Sequence, residues 1–152
     1  MEIMVLDHND DVEMLRELGN EWKSLAHGLD YGLPLEVNIW LNTMRNLKHR
    51  SDGDVLILVD AVGSVRGSLG MTYRLNHVGP GLIANECTFF VSPSARGGGL
   101  KLIHAAEKLA RIKGCAFATF NASSIAGDAA RSGRLYQHCG YSAFESAYLK
   151  VL

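Results

Sequence analysis

Long apolar runs are missing from this chain: none of its 152 residues fall in a stretch approaching the roughly 20 that a helix needs to cross a bilayer, so no membrane span is expected. Its start, Met1-Glu2-Ile3-Met4, lacks the basic-then-apolar order of an export signal, and a cytoplasmic protein is expected. Cysteine is scarce and odd in number. Cys87, Cys115 and Cys139 stand far apart among apolar neighbours, which suits neither a disulfide framework nor a metal site and suggests reduced core residues. The six histidines fall singly, with no pair at ligand spacing, so no metal is expected either. Charge of one sign is lacking too. A formal net charge of −1 supplies no general attraction to a polyanion, which argues against nucleic acid as a partner. Also absent are a Gly-Lys-Ser or Gly-Lys-Thr phosphate loop, a dinucleotide glycine fingerprint, internal repeats, linkers and low-complexity tracts.

What is present suits one folded unit. Hydrophobic residues make up 47% and charged residues 20%, an ordinary balance for a globular protein, and the length fits a single domain over 1–152. Ile3 to Leu6 reads as a short first strand. Asp10 with Glu13 forms a capping-box pattern, followed by Leu15, Leu18, Trp22 and Leu25 at helical spacing up to His27. After the turn-rich Gly28 to Leu33, Pro34 suits the first turn of a second helix carrying Val37, Trp40, Leu41, Met44 and Leu47. Val55 to Val59 and Val65 to Leu75 read as a hairpin, and Leu82 to Val91 as the next strand. A helix from Leu100 to Lys113 ends at Gly114, and Ala116 to Phe120 is again strand. The helical crossover implies that these last two strands run parallel. Asp128 can cap a fourth helix, which ends near Gly140, and Tyr141 to Ala143 and Ala147 to Val151 read as two short terminal strands.

The most informative stretch is Ser92-Pro93-Ser94-Ala95-Arg96-Gly97-Gly98-Gly99-Leu100-Lys101, between a strand and a helix. The first amides of a helix have no intrahelical acceptor, and the macrodipole adds partial positive charge, so an anion is welcome there. Glycine lets the anion approach the backbone closely. Arg96, Lys101, Lys108, Arg111 and Lys113 cluster in and after the turn, where a phosphorylated ligand would meet them.

Arg96-Gly97-Gly98-Gly99-Leu100 after a strand ending Phe90-Val91-Ser92-Pro93 resembles the signature of the GCN5-related N-acetyltransferase (GNAT) superfamily. That signature runs Gln or Arg, two residues, Gly, one residue, then Gly or Ala, matched by Arg96, Gly97-Gly98, Gly99 and Leu100 but with Lys101 in the last place. With Lys101 there, either the helix sits farther from the pyrophosphate or the lysine itself reaches a phosphate. The family's second motif, Leu-Tyr on a helix before Gly-Phe or Gly-Tyr, is similar to Leu135-Tyr136 and Gly140-Tyr141. The resemblance covers most of residues 55–143 and implies an α/β fold with a mixed (α+β) sheet. That sheet is largely antiparallel with one splayed parallel pair, flanked by about four helices.

It further implies an acetyl-CoA-dependent N-acetyltransferase working by direct attack of a primary amine, without metal or covalent enzyme intermediate. The amides of Arg96, Gly97, Gly98, Gly99, Leu100 and Lys101 would hold the pyrophosphate, and Phe89, Phe90 and Val91 would pair with the pantetheine arm. Asn121 would bond the arm or cap its turn. Tyr136 matches the family's usual acid, protecting the departing thiolate. Glu86, the carboxylate of the strand leading to the glycines, is the candidate base, acting directly or through water. Asp30 and Tyr31 lie where such proteins build an acceptor pocket, with His77 in a second wall. The acceptor would be a small-molecule or peptide amine, and the family often forms homodimers. A catalytically degenerate acyl-CoA sensor or interaction module of the same fold is the alternative.

Overall fold

The computed structural model describes residues 1–77, 79–125 and 127–152. Its centre is β2 (Gly53–Val59), whose Val55-Leu56-Ile57-Leu58 run is buried on both faces, as a continuous apolar strand requires. Val55 and Ile57 pack with α1 (Arg16–Leu25) and α2 (Val37–His49). Leu56 and Leu58 pack on the opposite face with Leu102, Ala106 and Ala110 of α3 (Gly98–Ile112). One sheet thus separates two apolar clusters.

Five strands follow the order of the chain across the sheet: β1 (Glu2–Val5), β2, β3 (Val65–Leu75), β4 (Leu82–Val91) and β5 (Cys115–Thr119). The first three pairings are antiparallel and β4–β5 is parallel, joined by the α3 crossover that the sequence implied. α4 (Ala129–His138) follows β5, and the Asp128 side chain accepts from the Arg131 amide as its cap.

Several expectations change. A 3-10 turn, Val12–Leu15, precedes α1, and Asp11 rather than Asp10 caps it by accepting from the Glu13 amide at 2.9 Å. Asp10 instead accepts from the Asp7 amide at 2.8 Å, closing its own turn. Pro34 lies outside α2, which begins at Val37, because the chain stays extended at Glu36. The helix after the glycines begins at Gly98, not Leu100, so two of the three glycines belong to its first turn. Tyr141 to Ala143 and Ala147 to Val151 form no strands. Phe144 and Tyr148 are 73% and 96% exposed, and without a ladder partner or buried face the local β propensity of this segment has nothing to stabilise it. β5 is consequently an edge strand.

Candidate active site

The β4–β5 ladder runs from Leu82/Cys115 to Asn85/Thr119 and stops there. β4 continues to Val91 paired only with β3, and its other edge is open from Glu86 onward. Cys87 is the extra residue of a bulge, since Gly70 pairs with Thr88 and Met71 with Glu86. Where the backbones part, side chains replace the ladder. Glu86 Oε2 accepts from the Asn121 amide at 2.9 Å and from Asn121 Nδ2 at 3.1 Å. Asn121 Nδ2 also donates to the Glu86 carbonyl at 3.2 Å, and the Asn121 carbonyl accepts from the Tyr136 hydroxyl at 3.2 Å. The expected acid, base and turn residue therefore meet through Asn121.

Burial pushes the Glu86 carboxyl above the usual carboxylate range, and the two Asn121 bonds draw it part of the way back. Burial, with the nearby Glu86 charge, raises the Tyr136 phenol above its ordinary value, so it stays protonated at neutral pH. The Tyr136 ring is held by Phe120 at 5.4 Å between centroids, with Tyr141 at 6.3 Å and Phe89 at 6.5 Å. Tyr141 is anchored in turn by donating to Glu107 Oε1 at 3.0 Å.

At the end of β4, Ser92 Oγ donates to Glu21 Oε1 at 2.8 Å, which ties the strand's exit to α1. The three glycines beyond it serve different ends. Gly97 caps α3 with φ of 79°, a left-handed conformation that disfavours side chains. Gly98 is buried, and a Cβ there would lie 2.2 Å from Leu58 Cδ2, so its absence lets the helix close onto the sheet. A Cβ on Gly99 would meet Leu135 Cδ2 at an ordinary 3.4 Å. The Gly98 amide donates to the Ala95 carbonyl, whereas those of Arg96, Gly97 and Gly99 have no acceptor outside the helix among the described residues. Arg96 is exposed beside them. Lys101 turns away, donating to the Met1 carbonyl at 3.3 Å, so its ammonium is not at the glycine turn.

Phe89 and Val91 pack on the α3 side of the sheet, but Phe90 faces the other way and stacks on Trp22 at 5.3 Å. Of Phe90, only the backbone is left for the open edge. On the α1 side, a cleft of about 290 Å³ opens against Glu86, Cys87, Thr88, Phe89 and Asn121. Trp22 of α1, Ala26 just past its end, the segment Leu33-Pro34-Leu35, and Ser123 and Ile125 form its remaining walls. Asp30, Tyr31 and His77 do not line it. The first two lie in the 3-10 turn Gly28–Tyr31, exposed, with Asp30 3.7 Å from His27. The walls escaped the sequence reading because Trp22 scored as a helix's core face and residues 33–35 as a turn and helix start. Among the described residues, no cluster of three metal-ligating side chains exists and no helix is long and apolar enough to cross a membrane.

No family model matches the chain, and no curated protein does. Solved structures do. A GNAT family acetyltransferase from Staphylococcus aureus superposes with a TM-score of 0.65 at 21% identity, over 100% of both chains. A ribosomal-protein-alanine N-acetyltransferase from Brucella melitensis superposes at 0.71 and 16% identity, again over 100% of each. An aminoglycoside 6'-N-acetyltransferase from Acinetobacter haemolyticus superposes at 0.72 and 19%, over 100% of this chain and 98% of the other. The sheet order, the single parallel pair and the end-to-end superpositions agree: this chain has the GNAT fold that its two motifs resemble.

Proposed function

We propose that the chain is an acetyl-CoA-dependent N-acetyltransferase that moves an acetyl group to a primary amine by direct attack. The observation that carries this reading is the meeting of a buried carboxylate and a protonated phenol through Asn121, beside an open strand edge that leads to amides without acceptors. Acetyl-CoA supplies an activated thioester. The amides of Arg96, Gly97 and Gly99, continued by Leu100 and Lys101, hold its pyrophosphate with the Arg96 guanidinium; the backbone of Phe89 to Val91 receives the pantetheine arm. Gly98 contributes by seating the helix, its own amide being engaged.

Asn121 is a positioning residue, with its amide groups on the Glu86 carboxylate and its carbonyl on the Tyr136 hydroxyl. Glu86 takes a proton from the ammonium of the acceptor, directly or through water, and frees the nitrogen lone pair. The nitrogen forms its bond to the acetyl carbon as the carbon–sulfur bond breaks. Tyr136 gives its proton to the leaving sulfur and regains one from the acylated nitrogen, directly or through water, as that nitrogen sheds its second proton; Glu86 returns the first to solvent. The acceptor is a small-molecule or peptide amine.

Calorimetric titration with acetyl-CoA, followed by thiol release across a panel of amines, tests the proposal. Binding with amine-dependent release is expected. Binding with silence on every amine would replace catalysis by a coenzyme-binding role, and no binding would remove the coenzyme altogether.

A further inference from the structure

We infer that the acceptor is an apolar primary monoamine, one ammonium on an alkyl or aryl body, rather than a polyamine or an aminoglycoside. This rests on the acetyl-transfer reading above. The cleft beside Glu86 has apolar walls: Trp22, Ala26, Leu33, Pro34, Leu35 and Ile125. Among the described residues, Glu86 is its only carboxylate. Oε2 is occupied by Asn121, and Oε1 takes no hydrogen bond among the described residues, so one oxygen remains for one ammonium.

The other acids of this end of the molecule are engaged elsewhere and do not line the cleft. Glu36 pairs with Lys23 at 3.0 Å, Asp30 lies 3.7 Å from His27, and Glu21 accepts from Ser92 at 2.8 Å. A second or third ammonium would therefore lie on hydrocarbon with no counter-charge, which is costly, while an alkyl or aryl body gains by leaving water there. Size points the same way. About 290 Å³ lies at the lower edge of the range for drug-sized ligands and leaves little room for linked polar rings.

The walls are already set. Trp22 stacks on Phe90 and meets Trp40 edge-on at 5.7 Å. The Leu33 amide donates to the Gly28 carbonyl at 2.8 Å, and the His27 amide to the Ile125 carbonyl at 3.1 Å, which joins the end of α1 to the loop after β5. Such a surface favours one body shape before any ligand arrives.

Two readouts keep this inference separable from the transfer reaction. In the first, thiol release from acetyl-CoA is compared for phenethylamine, hexylamine, spermidine and kanamycin; kcat/KM is expected to be at least about tenfold higher for the two monoamines. In the second, the same amines are titrated into protein saturated with CoA, which cannot react, and binding is followed by tryptophan fluorescence because Trp22 lines the cleft. Half-saturation is expected at about tenfold lower concentration for phenethylamine than for spermidine. Leu35→Glu, which adds a second carboxylate to the wall, should narrow that gap. Preference for spermidine or kanamycin in either assay overturns the inference and leaves acetyl transfer standing. Monoamine binding without thiol release overturns the transfer reading while the acceptor class stands. An unchanged gap in Leu35→Glu would also overturn it, since the wall would then not be what rejects the second charge.

Discussion

At the start of α3 the groups proposed to hold the coenzyme are main-chain amides without acceptors among the described residues, while at the end of the β4–β5 ladder the proposed catalytic groups are side chains bonded to one another. The first region is shaped by what glycine omits, a Cβ at Gly98 and a conformational penalty at Gly97. The second is shaped by what Glu86, Asn121 and Tyr136 carry. A backbone site is altered through packing and φ, and its damage should be read in coenzyme affinity and stability. A side-chain site is altered through chemistry, and its damage should be read in turnover.

Glu86→Gln should sharpen this contrast most. It keeps an oxygen to accept from Asn121 but removes the base, so turnover should fall about 10³-fold, measured by thiol release, with acetyl-CoA affinity within about twofold. The same variant has a stability signature. Glu86 is raised in the folded state, so it favours folding below the ordinary carboxylate range and loses that contribution as pH rises through its folded value. The thermal stability of the wild type should therefore fall relative to that of Glu86→Gln as pH is raised from 4 to 7. A gap that closes instead would reverse the assigned direction.

Tyr136→Phe keeps the aromatic packing and removes one proton, and a loss of about 10²-fold in turnover with unchanged coenzyme affinity is expected. Turnover equal to wild type would leave the reaction without this acid. On the backbone side, Gly98→Ala should cost about 1–3 kcal/mol in a denaturant titration, because Leu58 is fully buried and has no space into which to retreat. Gly97→Ala should cost about 1 kcal/mol through its left-handed φ, although nothing crowds the new methyl group. Gly99→Ala should leave stability within about 0.5 kcal/mol, and an equal loss at all three positions would end the distinction drawn among them.

Much of the fold was legible because it is local. The bounds of β3 and β4 follow from their apolar and β-branched content, Asp128 caps α4 as its position suggests, and the crossover dictates the parallel pair. The glycine turn before α3 was legible for the same reason, since glycines at a strand-to-helix junction act through their own backbone. Tyr136 and Glu86 could be named from motif and strand position, but their connection through Asn121 is tertiary. The walls of the cleft were hidden because Trp22 and Leu33 to Leu35 meet only in the folded chain. Tyr141 to Val151 misled for the converse reason, as strand propensity without a neighbour makes no strand.

The bulge at Cys87 also governs which way the far half of β4 looks. In an unbroken strand, residues an odd number of positions apart face opposite ways, yet Ala84 and Phe89 both pack on the α3 side. One inserted residue reverses the count, so Phe89 looks toward Tyr136 and Phe90 toward Trp22. The bulge, not side-chain identity, thus decides which ring borders the phenol and which supports the wall of the cleft. Removing Cys87 would leave the rings where they are, since Ala84 and Phe89 would then stand four positions apart in an unbroken strand; flattening the bulge with Cys87 retained is what would exchange them.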